Sequence, residues 1–435
     1  MDNAAAVAPA RERVRPRAWW TLIVLTLFYT ISFVDRFSLP ILAESIKTDL
    51  GFTDTQMSVL LGPAFTACYA TCAIPLGWAA DRYPRRWVIF SGLVFWSVCA
   101  AGTGIARSFT LMFAARAGVG LGEASLSPSA YSLLSDEFPA HRLSIAISIY
   151  QMGIYIGNAA AFLLAALALA HLTELVHAVP GLSALASWQI VLIVIGAPGA
   201  LLALLVFTFS EPQRRALRRG ARQEESAITA LWPFIKSEPK LLALLTIGFG
   251  LVAMVYSAVT AWLPTYLNRQ FGMGPVEYAP LFSLVSLLGA VTLLAKAGLV
   301  DLLYGRGTKD AHIRFYLWTL VLSSPAVYAM FWVQSPNLLF VCYAVVTILT
   351  FPFLVFLIPV VQIISPAQIR ARLSASFLFI ISTVASLGPV FVGLLTDHLF
   401  GPEHLGAALG LVLGASLPII FLCLRATMPL LRRIM

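Results

Sequence analysis

Four charged residues sit inside apolar stretches of this sequence: Asp35, Arg36, Arg116 and Glu123. Arg116 and Glu123 lie in FTLMFAARAGVGLGEASLSPSAYSL, residues 109–133, a run long enough to cross a bilayer as one helix. Their spacing of seven falls only about 20° short of two turns. Both side chains therefore share one face, about 10 Å apart along the axis. A charge at mid-membrane costs about 2.5–3.5 kcal/mol even on the lenient insertion scale. Such groups persist where they face a partner or a wet cavity, and there they exchange protons, pair with each other or hold an ion. Ala117, Gly118, Gly120, Gly122 and Ala124 leave room around them for a close neighbouring helix.

Asp35 and Arg36 lie in the first apolar run, 19–44, which runs outward. Asp35 is about 13 Å from its outer end, and Arg116, on a run heading inward, is about 10 Å from the same surface. The two are thus level, and an Asp35–Arg116 ion pair is expected. Glu123 lies deeper, with no basic residue at its own depth on these two helices. Arg36 points about 100° away from Asp35, toward a different partner.

The elements that position these groups are membrane helices. The chain has 435 residues, 59% hydrophobic and 11% charged, with a mean hydropathy of +0.86. Soluble domains carry about 25% charged residues. Twelve apolar runs of spanning length, from 19–44 to 405–431, predict an all-α membrane protein with twelve transmembrane helices. Their length excludes a β-barrel, whose strands are about ten residues long and alternate in polarity.

The net charge of +9 is topological rather than a nucleic-acid footprint. Of 29 Lys and Arg residues, 23 lie in one set of loops and tails, whereas the opposite loops hold Lys47, Arg107 and Arg269. That bias predicts both termini in the cytoplasm, and a plasma (inner) membrane location is expected. The first 18 residues are polar and Arg-rich, and the run after them is too long for a signal-peptide core, so it stays as the first span.

The five cysteines fall within spans, so no disulfide framework is expected. Cys68 and Cys72 share a face but no histidine stands near them in the sequence, which favours small apolar packing over a metal site. No H-E-x-x-H, G-x-S-x-G or G-x-x-x-x-G-K-[ST] pattern occurs. No catalytic residue, metal, cofactor or ATP site is therefore predicted, nor an enzyme. No stretch could form the soluble output domain of a sensor.

The second run ends in Gly77-Trp-Ala-Ala-Asp81-Arg82-Tyr-Pro-Arg85-Arg86. This loop resembles that of the major facilitator superfamily, G-x-x-x-D-R-x-x-R-R/K, between helices two and three. The resemblance implies two six-helix halves, 19–209 and 241–431, between tails 1–18 and 432–435 and joined by a linker at 210–240. It also implies that Gly77, Asp81, Arg82, Arg85 and Arg86 form a cytoplasmic gating loop tied to the helix-eleven region near Ala371. A shift of 220 residues lays Ala297-Gly-Leu-Val-Asp301 and Arg306 over Gly77 to Asp81 and Arg86, the internal repeat that such halves predict. In the linker, Arg214 to Arg222 are expected to meet anionic headgroups, and Ser226 to Lys236 could form an interfacial helix.

Within that superfamily, Phe33-Val-Asp35-Arg36, Leu50-Gly51-Phe52-Thr53-Asp54, Gly118-Val-Gly-Leu-Gly-Glu123, Trp262-Leu-Pro264 and Gly388-Pro389 resemble Spinster-type transporters. The helix-five signature of drug–proton antiporters is reduced to Gly153-x-x-x-Gly157-Asn158, which disfavours a generic drug exporter. The resemblance implies proton-coupled movement of lipids such as lysophospholipids, with Asp35 and Glu123 as proton-coupling acids and Arg36 and Arg116 as their ion-pair partners and anion binders. Protonation of Asp35 is expected to release Arg116 for an anionic headgroup, and Glu123 is expected to exchange a proton during transport. Phe65, Tyr69, Tyr256, Thr260, Tyr343 and Lys296 are candidate cavity residues; Lys296 can also snorkel to the cytoplasmic face. A cavity charged on one side and greasy on the other suits a monomer that handles an amphipathic small molecule and protons among membrane lipids. A proton symporter of organic carboxylates is the alternative.

Overall fold

The computed structural model describes residues 14–172, 174, 176, 178, 183–212, 232–351, 353–366 and 369–434. Among the described residues the chain is helical, with no strand. α1 (Pro16–Leu50) opens on a proline, whose missing N–H is no loss in a first turn. It ends at Gly51, whose φ of 68° is the left-handed conformation that glycine adopts without strain. The short α2 (Asp54–Leu61) begins in a capping box between Thr53 and Gln56. α3 (Pro63–Arg82) and α4 (Arg85–Ile105) follow, joined by a tight turn.

The 109–133 stretch is not one helix. α5 (Phe109–Glu123) stops at Glu123, and α6 (Leu126–Glu137) starts beyond a turn at Ala124–Ser125. The Ser125 hydroxyl donates to the Gly122 carbonyl at 2.8 Å, and the Ser125 N–H reaches the same oxygen at 3.2 Å. A serine competing for the backbone just after three glycines ends the helix locally. Glu123 therefore sits at a break, in its last turn. α7 (Ala140–Leu167) runs on into a π-helical turn at Ala168–Leu172. The expected span 188–209 is also broken, into α8 (Ser187–Gly196), α9 (Pro198–Leu202) and a 3₁₀ segment at Ala203–Thr208.

The second half contains α10 (Pro239–Phe271), α11 (Pro275–Gly305), α12 (Ala311–Ala329), α13 (Pro336–Leu349), α14 (Leu354–Ile364), α15 (Arg370–Leu395) and α16 (Leu405–Ile434). Ten stretches of the described chain are long and apolar enough to cross a membrane. The tail to residue 13 and the linker residues 213–231, with the basic cluster expected there, lie outside the described residues; residues 232–237 are helical.

Helices approach closely where side chains are missing. A Cβ on Gly157 of α7 would lie 2.5 Å from the Thr30 carbonyl oxygen of α1. One on Gly120 of α5 would lie 2.3 Å from the Phe65 carbonyl oxygen of α3. Any larger residue would push these pairs apart.

The two halves meet at the end where α1 finishes, the end that the charge bias predicts to be the outer one. A Cβ on Gly62 would lie 2.3 Å from the Ser386 carbonyl oxygen of α15. Phe162 stacks on Phe282 at 4.4 Å, and Ser283 donates to the Ala159 carbonyl at 2.9 Å. Below this seam a cavity of about 830 Å³ extends from Pro40 and Gly62 to Asp301 and His312, near the inner loops.

Candidate functional site

The charged residues pair differently from the expectation drawn from depth. Arg36 Nε donates to Glu123 Oε2 at 2.7 Å, with Nη2 2.6 Å from the same oxygen. Asp35 forms no ion pair with Arg116; its Oδ2 accepts the Trp96 Nε1–H of α4 at 3.1 Å. The reason is the lean of helical side chains toward the N-terminus of their own helix. α1 and α5 are antiparallel. Arg36 leans inward and Glu123 leans outward, so they converge across their difference in depth. Asp35 leans inward and Arg116 outward, so they diverge although level. Glu123 thus has a basic partner after all, supplied by a side chain long enough to reach it.

Arg36 is caged by aromatic faces: Phe33 at 4.7 Å, Phe65 at 4.4 Å and Tyr69 at 4.9 Å from its guanidinium carbon. A cation over such faces gains about 0.5–2 kcal/mol in each favourable geometry. Arg116 is 5% exposed, lies 5.6 Å from the Phe65 centroid, makes no ion pair, and leaves its Nε without a partner. Both guanidinium groups line the cavity, whereas Asp35 and Glu123 lie behind its wall, 5% and 1% exposed. The cavity therefore presents two cations, of which Arg36 is paired with an acid behind the wall and Arg116 is not. Asp301 is the acid on its wall, at the inner end with His312.

The opposite wall is aromatic and weakly polar. Tyr256, Thr260, Tyr343 and Phe351 line it from the second half, while Phe37, Phe65, Gln151, Tyr155 and Asn158 line the cavity from the half that carries the arginines. Tyr69 and Lys296 do not line it. Tyr69 stacks on Phe65 at 5.5 Å, behind the wall, and the Lys296 ammonium donates to the Ile348 carbonyl across α11 and α13. That backbone bond, rather than a substrate or the membrane surface, satisfies the buried lysine.

The inner loop residues stay within their own half in this conformation. Arg85 is fully buried; its guanidinium contacts Asp136, donates to Glu211 Oε1 at 2.7 Å and to the Pro212 carbonyl at 3.0 Å. Arg86 donates to the Phe209 carbonyl at 3.0 Å, and Arg82 lies over Trp78 at 4.5 Å. Asp81 is exposed. Among the described residues no hydrogen bond or ion pair ties these four to α15, whose Ala371 side chain lies outside them. Gly77 is not forced by packing, since a Cβ there would find Pro128 at 3.9 Å.

Sequence reasoning missed a clasp across the outer seam. Arg269, at the end of α10, donates to Glu44 Oε2 at 2.8 and 3.0 Å and to both oxygens of Asp54 at 2.8 and 2.9 Å. It also donates to the Pro402 carbonyl at 3.0 Å. Lys47 reaches Asp54 Oδ1 at 2.6 Å. Asp397 accepts the N–H groups of Asp54 and Thr55 at 3.2 and 2.7 Å, capping α2 from the other half. A signal was available: Lys47 and Arg269 are two of the few basic residues in the outer loops. In a compartment that disfavours cations, a retained one needs a local reason.

The sequence profile of the Major Facilitator Superfamily matches residues 25–393 of this chain. A Mycolicibacterium smegmatis protein named as an MFS-type efflux pump is 29% identical over 415 residues, covering 92% of this chain and 90% of that protein. Protein spinster homolog 1 of Mus musculus is 29% identical over 257 residues, covering 58% of this chain and 46% of that protein. The chain thus spans about half the length of that relative. Among solved structures, a bacterial homologue of the human lysosomal transporter Spinster, in an inward-facing and occupied conformation, aligns with a TM-score of 0.81. It is 24% identical and the match covers 97% of this chain and 98% of that one, which shows a shared fold.

Proposed function

Because this chain belongs to the Major Facilitator Superfamily, we propose that it is a proton-coupled secondary transporter of an anionic, amphipathic small molecule. The observation that carries this is Arg116, a buried guanidinium on the cavity wall that makes no ion pair with the acids behind that wall. A buried cation without an ion pair is costly, and an anion entering from the cavity would relieve that cost. The aromatic wall opposite offers apolar contact to the rest of such a molecule, as a single-chain lipid or an aromatic carboxylate would require. Spinster-type resemblance favours the lipid.

Coupling follows from competition for Arg36. With Glu123 ionised, Arg36 is held by it; when Glu123 takes a proton the attraction falls and Arg36 can join Arg116 around the anion. Asp35, held by Trp96, is the second acid of the pathway. Twelve crossings with cytoplasmic termini follow from the charge bias, with α5–α6 and α12 added to the ten longer stretches. On this topology the closed outer seam corresponds to an inward-facing state of a plasma-membrane monomer, and Asp81 with its neighbouring arginines would engage α15 in the opposite state.

The test is uptake into proteoliposomes of labelled lysophospholipid against a labelled aromatic carboxylate, with and without an imposed pH gradient. Uptake of one probe that requires the gradient is expected, abolished by Glu123→Gln and by Arg116→Gln. Preference for the carboxylate would select the organic-anion alternative. Full pH-dependent uptake by Glu123→Gln would refute the coupling role.

A further inference from the structure

The half that carries the arginines also lines the cavity with hydrogen-bond acceptors that the protein leaves unserved. Gln151, Tyr155 and Asn158 of α7 follow one another at spacings of four and three, which puts them on one face of the helix, and all three line the cavity. Asn158 is 9% exposed and Gln151 is half-buried. Among the described residues, neither Asn158 Oδ1 nor Gln151 Oε1 has a hydrogen-bond partner. Elsewhere on the cavity wall the hydroxyls of Thr260 and Ser286 donate to carbonyls of their own helices, at 2.9 and 2.8 Å.

The register of α7 on α1 sets the depth of these amides. A Cβ on Gly153 would lie 3.2 Å from the Thr26 carbonyl oxygen, and one on Gly157 would lie 2.6 Å from Phe33 Cβ. The two helices therefore run parallel, and Asn158, next after Gly157, is level with Phe33. The Phe33 ring in turn carries the Arg36 guanidinium at 4.7 Å. Asn158 thus stands at the depth of the cation on the same cavity wall. Gln151, seven residues earlier, is about 10 Å nearer the inner end.

An anion answers the arginines but not these oxygens. Carboxylate and phosphodiester oxygens only accept hydrogen bonds, as do Asn158 Oδ1 and Gln151 Oε1, so the amides call for an O–H or N–H on the bound molecule. Leucine has nearly the shape of asparagine and would pack here with no polar atom to satisfy, whereas a buried acceptor left unserved is costly. Resting on the reading of this cavity as an anion site, we infer that the transported anion carries a hydroxyl beside its charged group and that Asn158 selects for it. Gln151 accepts from a second donor deeper toward the inner end. A monoacyl glycerophospholipid, through its free glycerol hydroxyl, and an α-hydroxy carboxylate share this chemistry. A fatty acid or an unsubstituted arylacetate lacks it.

The test is isothermal titration of the full chain in lipid nanodiscs with two matched pairs of probes. One pair is oleoyl lysophosphatidate and the methyl ether of its free hydroxyl; the other is mandelate and phenylacetate. In one pair the unaltered protein should bind the hydroxyl-bearing member about 5- to 150-fold more tightly, the range set by leaving one buried acceptor unserved. In Asn158→Leu that ratio should fall close to unity. Asn158→Ser keeps a polar group but not the reach, so its ratio should lie between, and it carries the test if Asn158→Leu does not fold. Equal affinities within each pair, or a ratio that the Asn158 variants keep, overturn the selection while leaving the anion site in place. Failure of all the probes to bind, or binding that Arg116→Gln does not weaken, overturns the anion reading and this inference with it.

Discussion

Replacing Arg269 with glutamine should open the outer end. In the closed seam its guanidinium bridges Glu44 and Asp54 of the first half, with five hydrogen bonds counting that to the Pro402 carbonyl. The Asp54 side chain is fully buried, Arg269 is 13% exposed and Glu44 28%. A hydrogen bond to a charged group contributes about 1.5–3 kcal/mol, and the more exposed Glu44 arm much less. Since these contacts cross the seam, they exist when the outer end is closed and are lost when it opens. The Lys47–Asp54 pair lies within one half and persists in both states. Loss of Arg269 should therefore shift the equilibrium toward the outward-open form by about 2–3 kcal/mol, or about 30- to 140-fold. Asp397 and Asp54, on opposite sides of the seam, would then repel with less compensation. Spin labels at Arg107 and Asn337, both exposed, would report the change as a longer distance by double electron–electron resonance once the native cysteines are replaced. Arg269→Lys keeps the charge but not the fork and should fall between. An unchanged distance distribution in Arg269→Gln would refute the clasp as a determinant of the state.

Two further substitutions probe how the halves are built. Gly62→Ala adds a methyl 2.3 Å from the Ser386 carbonyl, so the same labels should show a seam that no longer closes fully; a wild-type distribution would mean that α15 yields at little cost. Arg85→Gln removes the buried ion pair to Asp136 and the bridge to Glu211, which should destabilise the first half by about 3 kcal/mol, read as a lower unfolding midpoint in detergent. An unchanged midpoint would show that the arginine serves only orientation.

Fold class and the presence of charged groups within the apolar runs were legible in the sequence because both rest on local properties. Apolar runs of spanning length, loop charge and the cost of a mid-membrane carboxylate need no knowledge of neighbours, and they led to Asp35, Arg36, Arg116 and Glu123. Depth, too, is local, since it is a count of residues times the helical rise. Pairing is not. Whether Glu123 meets Arg36 or Arg116 meets Asp35 depends on which way antiparallel helices lean their side chains and where each is rotated, and Trp96 took Asp35 from a third helix. The break after Glu123 was written in Gly122 and Ser125, but a serine near glycines ends a helix only where its hydroxyl finds the carbonyl. The clasp of Arg269, Asp54 and Asp397 joins residues more than 200 apart in the chain, and only the packing of one half on the other brings them together. Composition determined that charges lie inside the bilayer region; tertiary contact decided which are neutralised and which, like Arg116, are left facing the cavity.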